Sequence, residues 1–199
     1  QRARPDIEAS QREDLKWLGI CWDEEVIPQR SRNYEPWLQQ LAQSTYACQC
    51  SRKQIRAAGG PYSGTCRHAG LKEGAIRFRL KDNTPPFYDR YWGTQHIPQS
   101  QLADPILKRR DGVFSYNLAV NADDILDGVT EVVRGADLLS QTAIHIQLWE
   151  ALGATPPTWL HSPLVLGPDS KKLSKSHGST EVKTLKENGW TPADIWRLT

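Results

Sequence analysis

The chain has 199 residues, of which 24% are charged and 38% hydrophobic, and a formal net charge of +2. This is the composition of a globular chain, long enough for one good core or for one domain with a small insertion. No apolar run approaches the roughly 18 residues a membrane helix needs, so no membrane partner is expected, and so small a net charge neither supports nor excludes nucleic acid.

The opening residues QRARPDIEAS carry no signal-peptide core, which points to the cytoplasm. Methionine is absent, and a helix begins almost at once with no leading strand, so the chain is expected to lack its natural N-terminus. Eight tryptophans are many for this length; burial is their default role.

Residues 6–18 repeat Ile7, Leu15 and Leu18 at helical spacing, and Gly19 can close that helix. A second helix is expected from Ser31 or Asn33 through Trp37, Leu38 and Leu41 to about Ser44. Both read as packing elements. Residues 45–70 change character: Cys48-Gln49-Cys50, a basic helical patch at 51–58, Gly59-Gly60-Pro61, Tyr62, then Cys66-Arg67-His68. Three of four cysteines within nineteen positions of a cytosolic chain favour a metal over a disulfide. Zinc takes four ligands, and the fourth could be His68, Tyr62 or water. The plainer alternative is three reduced thiols in a loop-rich insertion.

Residues 75–80 (AIRFRL) and 87–92 read as strands. Residues 104–109 and 113–120 read as a hairpin about the turn Arg110-Asp111-Gly112. Asp123 and Asp124 are expected to be solvated loop acids with no catalytic role. Residues 130–134 form the next strand candidate, followed by Gly135-Ala136-Asp137 and a helix at 140–152 capped by Ser140. Strand, small residues and helix N-terminus together mark the ligand crevice of an open α/β sheet, framed here by Tyr116 and Arg134 on two strands. His145 reads as a hydrogen-bonded packing residue. Residues 159–166 look like a strand buried on both faces. The loop after it, Lys171-Lys172-Leu173-Ser174-Lys175-Ser176, suits phosphate. Helices at 182–188 and from Thr191-Pro192 finish the chain.

At this point the motifs resemble a known family. Lys172-Leu173-Ser174-Lys175-Ser176 is similar to the second signature loop of class I aminoacyl-tRNA synthetases. Val133-Arg134-Gly135-Ala136-Asp137-Leu138, with Tyr116-Asn117-Leu118-Ala119-Val120 upstream, resembles the glutamate branch. Arg109-Arg110-Asp111-Gly112, Gly135-Ala136-Asp137 and the set Cys48, Cys50, Tyr62 and Cys66 resemble the glutamyl-queuosine tRNA(Asp) synthetases within that branch. The resemblance implies an α/β fold: a class I aminoacyl-tRNA synthetase Rossmann-type catalytic domain with a small zinc-bearing insertion, its N-terminal part missing. Residues 1–44 would be its helical part, 45–70 the zinc insertion and 71–199 the remainder, with the Lys-Leu-Ser-Lys-Ser loop.

The implied activity is ATP-dependent activation of glutamate to glutamyl-adenylate, with Mg2+, and transfer to the queuosine base in the anticodon of tRNA(Asp). Lys175 would stabilise charge on the phosphates. Arg134 would take a glutamate carboxylate, preferably bidentately, and Tyr116 would help orient it. Lys172, Ser174, Gly135, Asp137 and Leu164 would line ATP. One structural zinc would sit on Cys48, Cys50, Tyr62 and Cys66; the tyrosine ligand comes from the resemblance. A monomer is expected. The family's first signature, a His-Ile-Gly-His-like sequence, is absent and would lie before Gln1, so this polypeptide alone is expected to be catalytically crippled. Two other readings stand beside this one: a piece of an ordinary glutamyl-tRNA synthetase, and a non-catalytic tRNA-binding paralogue.

Overall fold

A computed structural model describes residues 5–166 and 181–197. The chain divides into two compact units, Ile27–Pro163 and a smaller one made of Gln1–Val26 with Leu164–Thr199.

In chain order the elements are α1 (Pro5–Trp17), α2 (Glu35–Gln40), β1 (Thr45–Cys48), α3 (Arg52–Ala57), β2 (Ala75–Phe78), β3 (Phe87–Asp89), β4 (Gly93–Gln95), β5 (Ile106–Lys108), α4 (Tyr116–Leu126), β6 (Glu131–Gly135), α5 (Leu139–Ala151), β7 (Thr158–Ser162), α6 (Val182–Glu187) and α7 (Pro192–Trp196). The larger unit holds two sheets. One is antiparallel, in the order β1-β2-β5, with Tyr46 opposite Arg77 and Cys48 opposite Ala75. The other runs β4-β3-β7-β6. Within it β6 and β7 are parallel and joined by α5, as in a Rossmann half, and β3 lies parallel to β7 on its other side.

Leu118 and Ala122 of α4 and Ile144, Leu148 and Leu152 along α5 and its C-cap meet Leu41, Phe78, Leu80 and Leu107 in one apolar core. Leu107, Leu118 and Leu148 have no exposed surface, and this burial is what fixes the two helices against the antiparallel sheet. Asp104, also buried, ties that sheet to the loops around it. Its carboxylate accepts hydrogen bonds from Arg67, from the Tyr46 hydroxyl and from Leu80 N–H. Burial pushes its pKa up, but these donors outweigh burial and hold it below the ordinary value.

The expected hairpin is corrected. Its turn is present: Gly112 has a φ of 81° and donates to Arg109 O at 3.0 Å. The second arm, however, keeps only the bridge Lys108↔Phe114 before the chain turns into α4. Leu118, Ala119 and Ala122 are spaced for one helical face, and their burial outweighs the strand preference of Val113 and Phe114. Tyr116 therefore opens a helix. The strand near 159–166 is also shorter. Trp159 and His161 point inward while Thr158 and Ser162 are exposed, so its burial alternates. The chain enters α5 through a tight turn at Ala136–Leu138, which leaves Ser140 inside the helix. Asp123 is a structural acid of α4, not a loop acid: it accepts from Arg32 at 3.0 Å, from Gln29 at 2.7 Å and from the Tyr34 hydroxyl at 3.0 Å.

In the smaller unit, Lys186 of α6 bonds Asp14 of α1 at 3.0 Å, and Trp196 Nε1 donates to Leu18 O at 3.1 Å. Thr191 and Asp194 cap α7 reciprocally, as the Thr-Pro pair predicts. Among the described residues no helix is long and apolar enough to cross a membrane.

Asp124 yields a test. Burial, with Asp123 close by, raises its carboxyl from 3.8 to about 6. A raised carboxyl contributes stability that is complete below the unfolded value and is lost as pH climbs through the folded one. Asp124→Asn is therefore expected to leave the denaturation midpoint unchanged well below the unfolded value, at about pH 2.5, and to raise stability at pH 8 by about 1 kcal/mol, after discounting for solvent screening.

Candidate active site and cysteine cluster

The parallel register sets Arg134 of β6 beside His161 of β7 on the same face of the sheet. From that position the half-buried guanidinium donates through Nε to His161 Nε2 at 3.1 Å and through Nη1 to His145 Nδ1 at 3.1 Å. Nη2 donates to Thr142 Oγ1 at 2.8 Å and to Leu138 O at 3.3 Å. The Trp159 ring lies 4.8 Å below it. None of these partners is a carboxylate. The plainer role for Arg134 would be a structural ion pair with Glu131 or Asp137; Glu131 pairs instead with Arg90, while the Asp137 charge does act on Arg134. Burial pushes the guanidinium below its ordinary pKa, against opposing contributions from Tyr116, Asp124 and Asp137.

The histidines are buried in turn. His161 Nδ1 lies 2.7 Å from Asp89 Oδ2, and neither side chain has exposed surface. Asp89 Oδ1 accepts from the N–H groups of Tyr91 and Trp92 at 3.0 and 2.9 Å. His145 Nε2 lies 3.0 Å from Asn117 Oδ1. Burial, with Arg134 and His161 adding to it, holds His145 down at about 3, so it is an uncharged, hydrogen-bonded packing residue.

The structure brings Tyr116 and Arg134 together. The Tyr116 hydroxyl is beside the guanidinium, its ring 5.9 Å from that of His145, and half of the residue is exposed. Four of the five arginine N–H groups are used by these partners, and the Tyr116 hydroxyl is hydrogen-bonded to the same guanidinium. Gly135 ends β6 half-buried, Asp137 is exposed in the turn, and Leu164 belongs to the other unit. Lys172, Ser174 and Lys175 lie outside the described residues. Sequence reasoning missed Asp89, Asn117, Thr142 and His161. The available signal was His161, a polar residue within the largely apolar run Trp159 to Leu166.

An open groove of about 530 Å3 runs from Tyr116 and Asn117 past Arg109 to Arg52 at the edge of the cysteine cluster. There Cys48 leaves β1, Cys50 precedes α3, and Tyr62 and Cys66 return over both. The sulfurs of Cys48, Cys50 and Cys66 lie within 4.8 Å of one another, near the roughly 3.8 Å edge of a tetrahedron with metal–sulfur bonds of about 2.3 Å. Tyr62 is buried, its hydroxyl accepts from Cys66 N–H at 2.8 Å, and Arg77 sits 3.8 Å from its ring centroid. The three thiols are placed to hold a metal ion, with the Tyr62 hydroxyl beside Cys66. His68 is exposed and stands outside the cluster. Burial pushes the Cys48 thiol up, but Arg77, the Cys50 N–H and Tyr62 outweigh it and bring it to about 7.

With that geometry in view, the comparisons place the chain. The family model of the catalytic domain of class I tRNA synthetases (E and Q) matches residues 1–198, and the chain belongs to that family. It is 45% identical over 177 residues to a glutamyl-Q tRNA(Asp) synthetase of Vibrio parahaemolyticus, covering 85% of this chain and 60% of that protein. It is 40% identical over 226 residues to one of Nitratidesulfovibrio vulgaris, covering 98% of this chain and 70% of that protein. Among solved structures it is similar to the glutamate-tRNA synthetase of Elizabethkingia anophelis, with a TM-score of 0.79 and 25% identity over 96% of this chain and 50% of that one. A glutamate tRNA ligase from Elizabethkingia meningosepticum, in complex with its amino acid, gives a TM-score of 0.75 at 25% identity, over 96% and 44% of the two chains. The chain spans 57 to 60% of the length of the Vibrio relatives.

The cysteine cluster depends on a close backbone approach. Gly74 has a φ of 148°, and a Cβ there would stand 2.5 Å from Cys48 O. Gly74→Ala is expected to cost roughly 1–3 kcal/mol in denaturant unfolding. Gly70→Ala, at a φ of 61° with nothing within 4 Å, should cost less.

Proposed function

We propose that this chain is the catalytic part of an enzyme that activates glutamate with ATP and transfers the glutamyl group to the queuosine base of tRNA(Asp). The observation that carries the reading is the half-buried Arg134 guanidinium, which meets no carboxylate among the described residues and stands beside the Tyr116 hydroxyl. A substrate carboxylate supplies the missing charge partner. The names of the relatives at 40 to 45% identity support glutamate as the amino acid and queuosine-bearing tRNA(Asp) as the acceptor.

In the first step a glutamate carboxylate oxygen attacks the α-phosphorus of ATP and pyrophosphate leaves, with Mg2+ on the phosphates. Negative charge grows on the phosphate oxygens, and Lys175 stabilises it as a point charge, with Lys172 and Ser174 holding the loop. Gly135 and Asp137, where β6 gives way to the turn before α5, offer backbone groups to the nucleotide. Zinc on Cys48, Cys50, Cys66 and Tyr62 would be structural, because four protein ligands leave no position for chemistry.

The RNA partner is supported by local charge. Residues 45–80 and 105–112, which build the antiparallel sheet and the cysteine cluster, hold ten lysines and arginines against two acids, while the whole chain has an excess of only two. Arg52, Lys53, Arg56, Lys72 and Arg110 are exposed there, as phosphate contacts require.

A second reading, an ordinary glutamate-tRNA ligase, is favoured by the structural neighbours at TM-scores of 0.75 and 0.79. Glutamate-dependent ATP–pyrophosphate exchange by the full-length protein separates the two. Exchange without tRNA is expected for the queuosine enzyme; exchange that needs tRNA would shift the assignment to the ordinary ligase, and none in either condition would leave a binding paralogue. Lys175→Ala should slow exchange at least about tenfold. Metal analysis of chelator-free protein should find one zinc per chain; finding none would return the cysteines to reduced thiols.

A further inference from the structure

The contacts around Arg134 point to two proton positions; Thr142 Oγ1, 3.1 Å from His161 Nε2, is a second donor that this nitrogen can accept from. Arginine has donors only. His161 Nε2, which receives Arg134 Nε–H at 3.1 Å, must therefore present a lone pair, as must His145 Nδ1, which receives Nη1–H at 3.1 Å. The remaining ring nitrogens follow. Nδ1–H of His161 donates to Asp89 at 2.7 Å, and Nε2–H of His145 donates to Asn117 Oδ1 at 3.0 Å. Each ring is then held in one tautomer, and the tautomers are opposite.

We propose that Asp89, His161, His145 and Asn117 are positioning residues for Arg134, two fixed imidazole tautomers holding its guanidinium in place without neutralising it. A carboxylate at either imidazole position would hold the arginine as firmly but would take up the charge intended for the substrate. Uncharged acceptors fix the geometry and leave the charge available. The proposal rests on the reading that Arg134 receives the glutamate carboxylate.

Asp89 controls the chain from its far end. Its Oδ1 is oriented by the N–H groups of Tyr91 and Trp92. In Asp89→Asn the carbonyl oxygen keeps those two bonds, so the amide NH2 faces His161 Nδ1. The imidazole proton must then move to Nε2, where it points at Arg134 Nε–H, donor against donor. At the other end, His145→Leu removes an acceptor, while His145→Asn restores one near the Nδ1 position.

The test uses the full-length protein labelled with 15N. Two-bond 1H–15N correlations of the histidine rings at pH 7 should show His161 protonated on Nδ1 alone and His145 on Nε2 alone. Asp89→Asn should move the His161 proton to Nε2 and raise the KM for glutamate in pyrophosphate exchange at least about tenfold, with kcat within about threefold. His145→Leu should raise KM similarly and His145→Asn should recover most of it. A charged ring or the opposite tautomers in the wild type would overturn the proposal. So would a tautomer switch with unchanged KM, or a loss of kcat and KM together in all three variants. Arg134→Gln is the separate control. An unchanged glutamate KM in that variant would remove the reading of Arg134 itself, whereas a raised KM there with unaffected Asp89 and His145 variants would remove only the positioning role.

Discussion

A guanidinium drawn half out of water needs acceptors for its N–H groups, and the choice of acceptor decides what it can do next. Around Arg134 the acceptors are two imidazoles, a threonine hydroxyl and a backbone carbonyl. They come from three parts of the larger unit. His161 stands across the parallel pair, Thr142 and His145 project from α5, and Leu138 closes the turn between β6 and that helix. Asn117 of α4 and Asp89 of β3 stand behind the imidazoles. The arginine therefore has its geometry only when β3, β6, β7, α4 and α5 are all in place. The buried leucines of α4 and α5 do not touch the chemistry, but they set the distance across which His145 reaches Asn117.

The cysteine cluster is organised on the same principle, with a buried acid as its hub. Asp104 gathers Arg67 from the cysteine loop, Tyr46 from β1 and the Leu80 N–H after β2 onto one carboxylate. Arg67 follows Cys66 directly, so the acid that ties the sheet together also fixes where the last thiol returns. Arg77 continues the contact from β2, its guanidinium lying on the face of Tyr62. The cluster is thus an outgrowth of the antiparallel sheet.

Much of this was legible in the sequence wherever spacing alone carries chemistry. Cys48, Cys50 and Cys66 converge because the chain between them is short and rich in glycine, whereas Tyr62 beside them was indicated only by the family resemblance, and Arg134 lies near a strand end because small residues follow it. The misreading of 113–120 has a physical cause. A turn and a pair of strand formers, Val113 and Phe114, precede a helical stripe that becomes visible only from Leu118 to Ala122 and is won by burial against α5. Asp89 and His161 were illegible for another reason. They are 72 positions apart, and only a strand pairing that no local pattern announces brings them together. The Lys-Ser loop is the reverse case, a motif plain in sequence that lies outside the described residues.

The uneven distribution of charge has a consequence for how partners arrive. Within Ile27–Pro163, the stretches 45–80 and 105–112 carry an excess of eight positive charges, while the remainder of that unit, which includes α4 and α5, is acidic, with five lysines and arginines against ten acids. Such a body carries its positive charge mainly on the antiparallel sheet and cysteine cluster. In the field of a polyanion it is turned before contact, basic side leading, over distances of about a Debye length. The groove that opens at Tyr116 borders Arg52 and Arg109, so the orientation selected during diffusion is also one that turns this groove toward the polyanion. A molecule of nearly zero net charge can in this way have a salt-sensitive rate of encounter, because that rate depends on the separation of its charges and not on their sum.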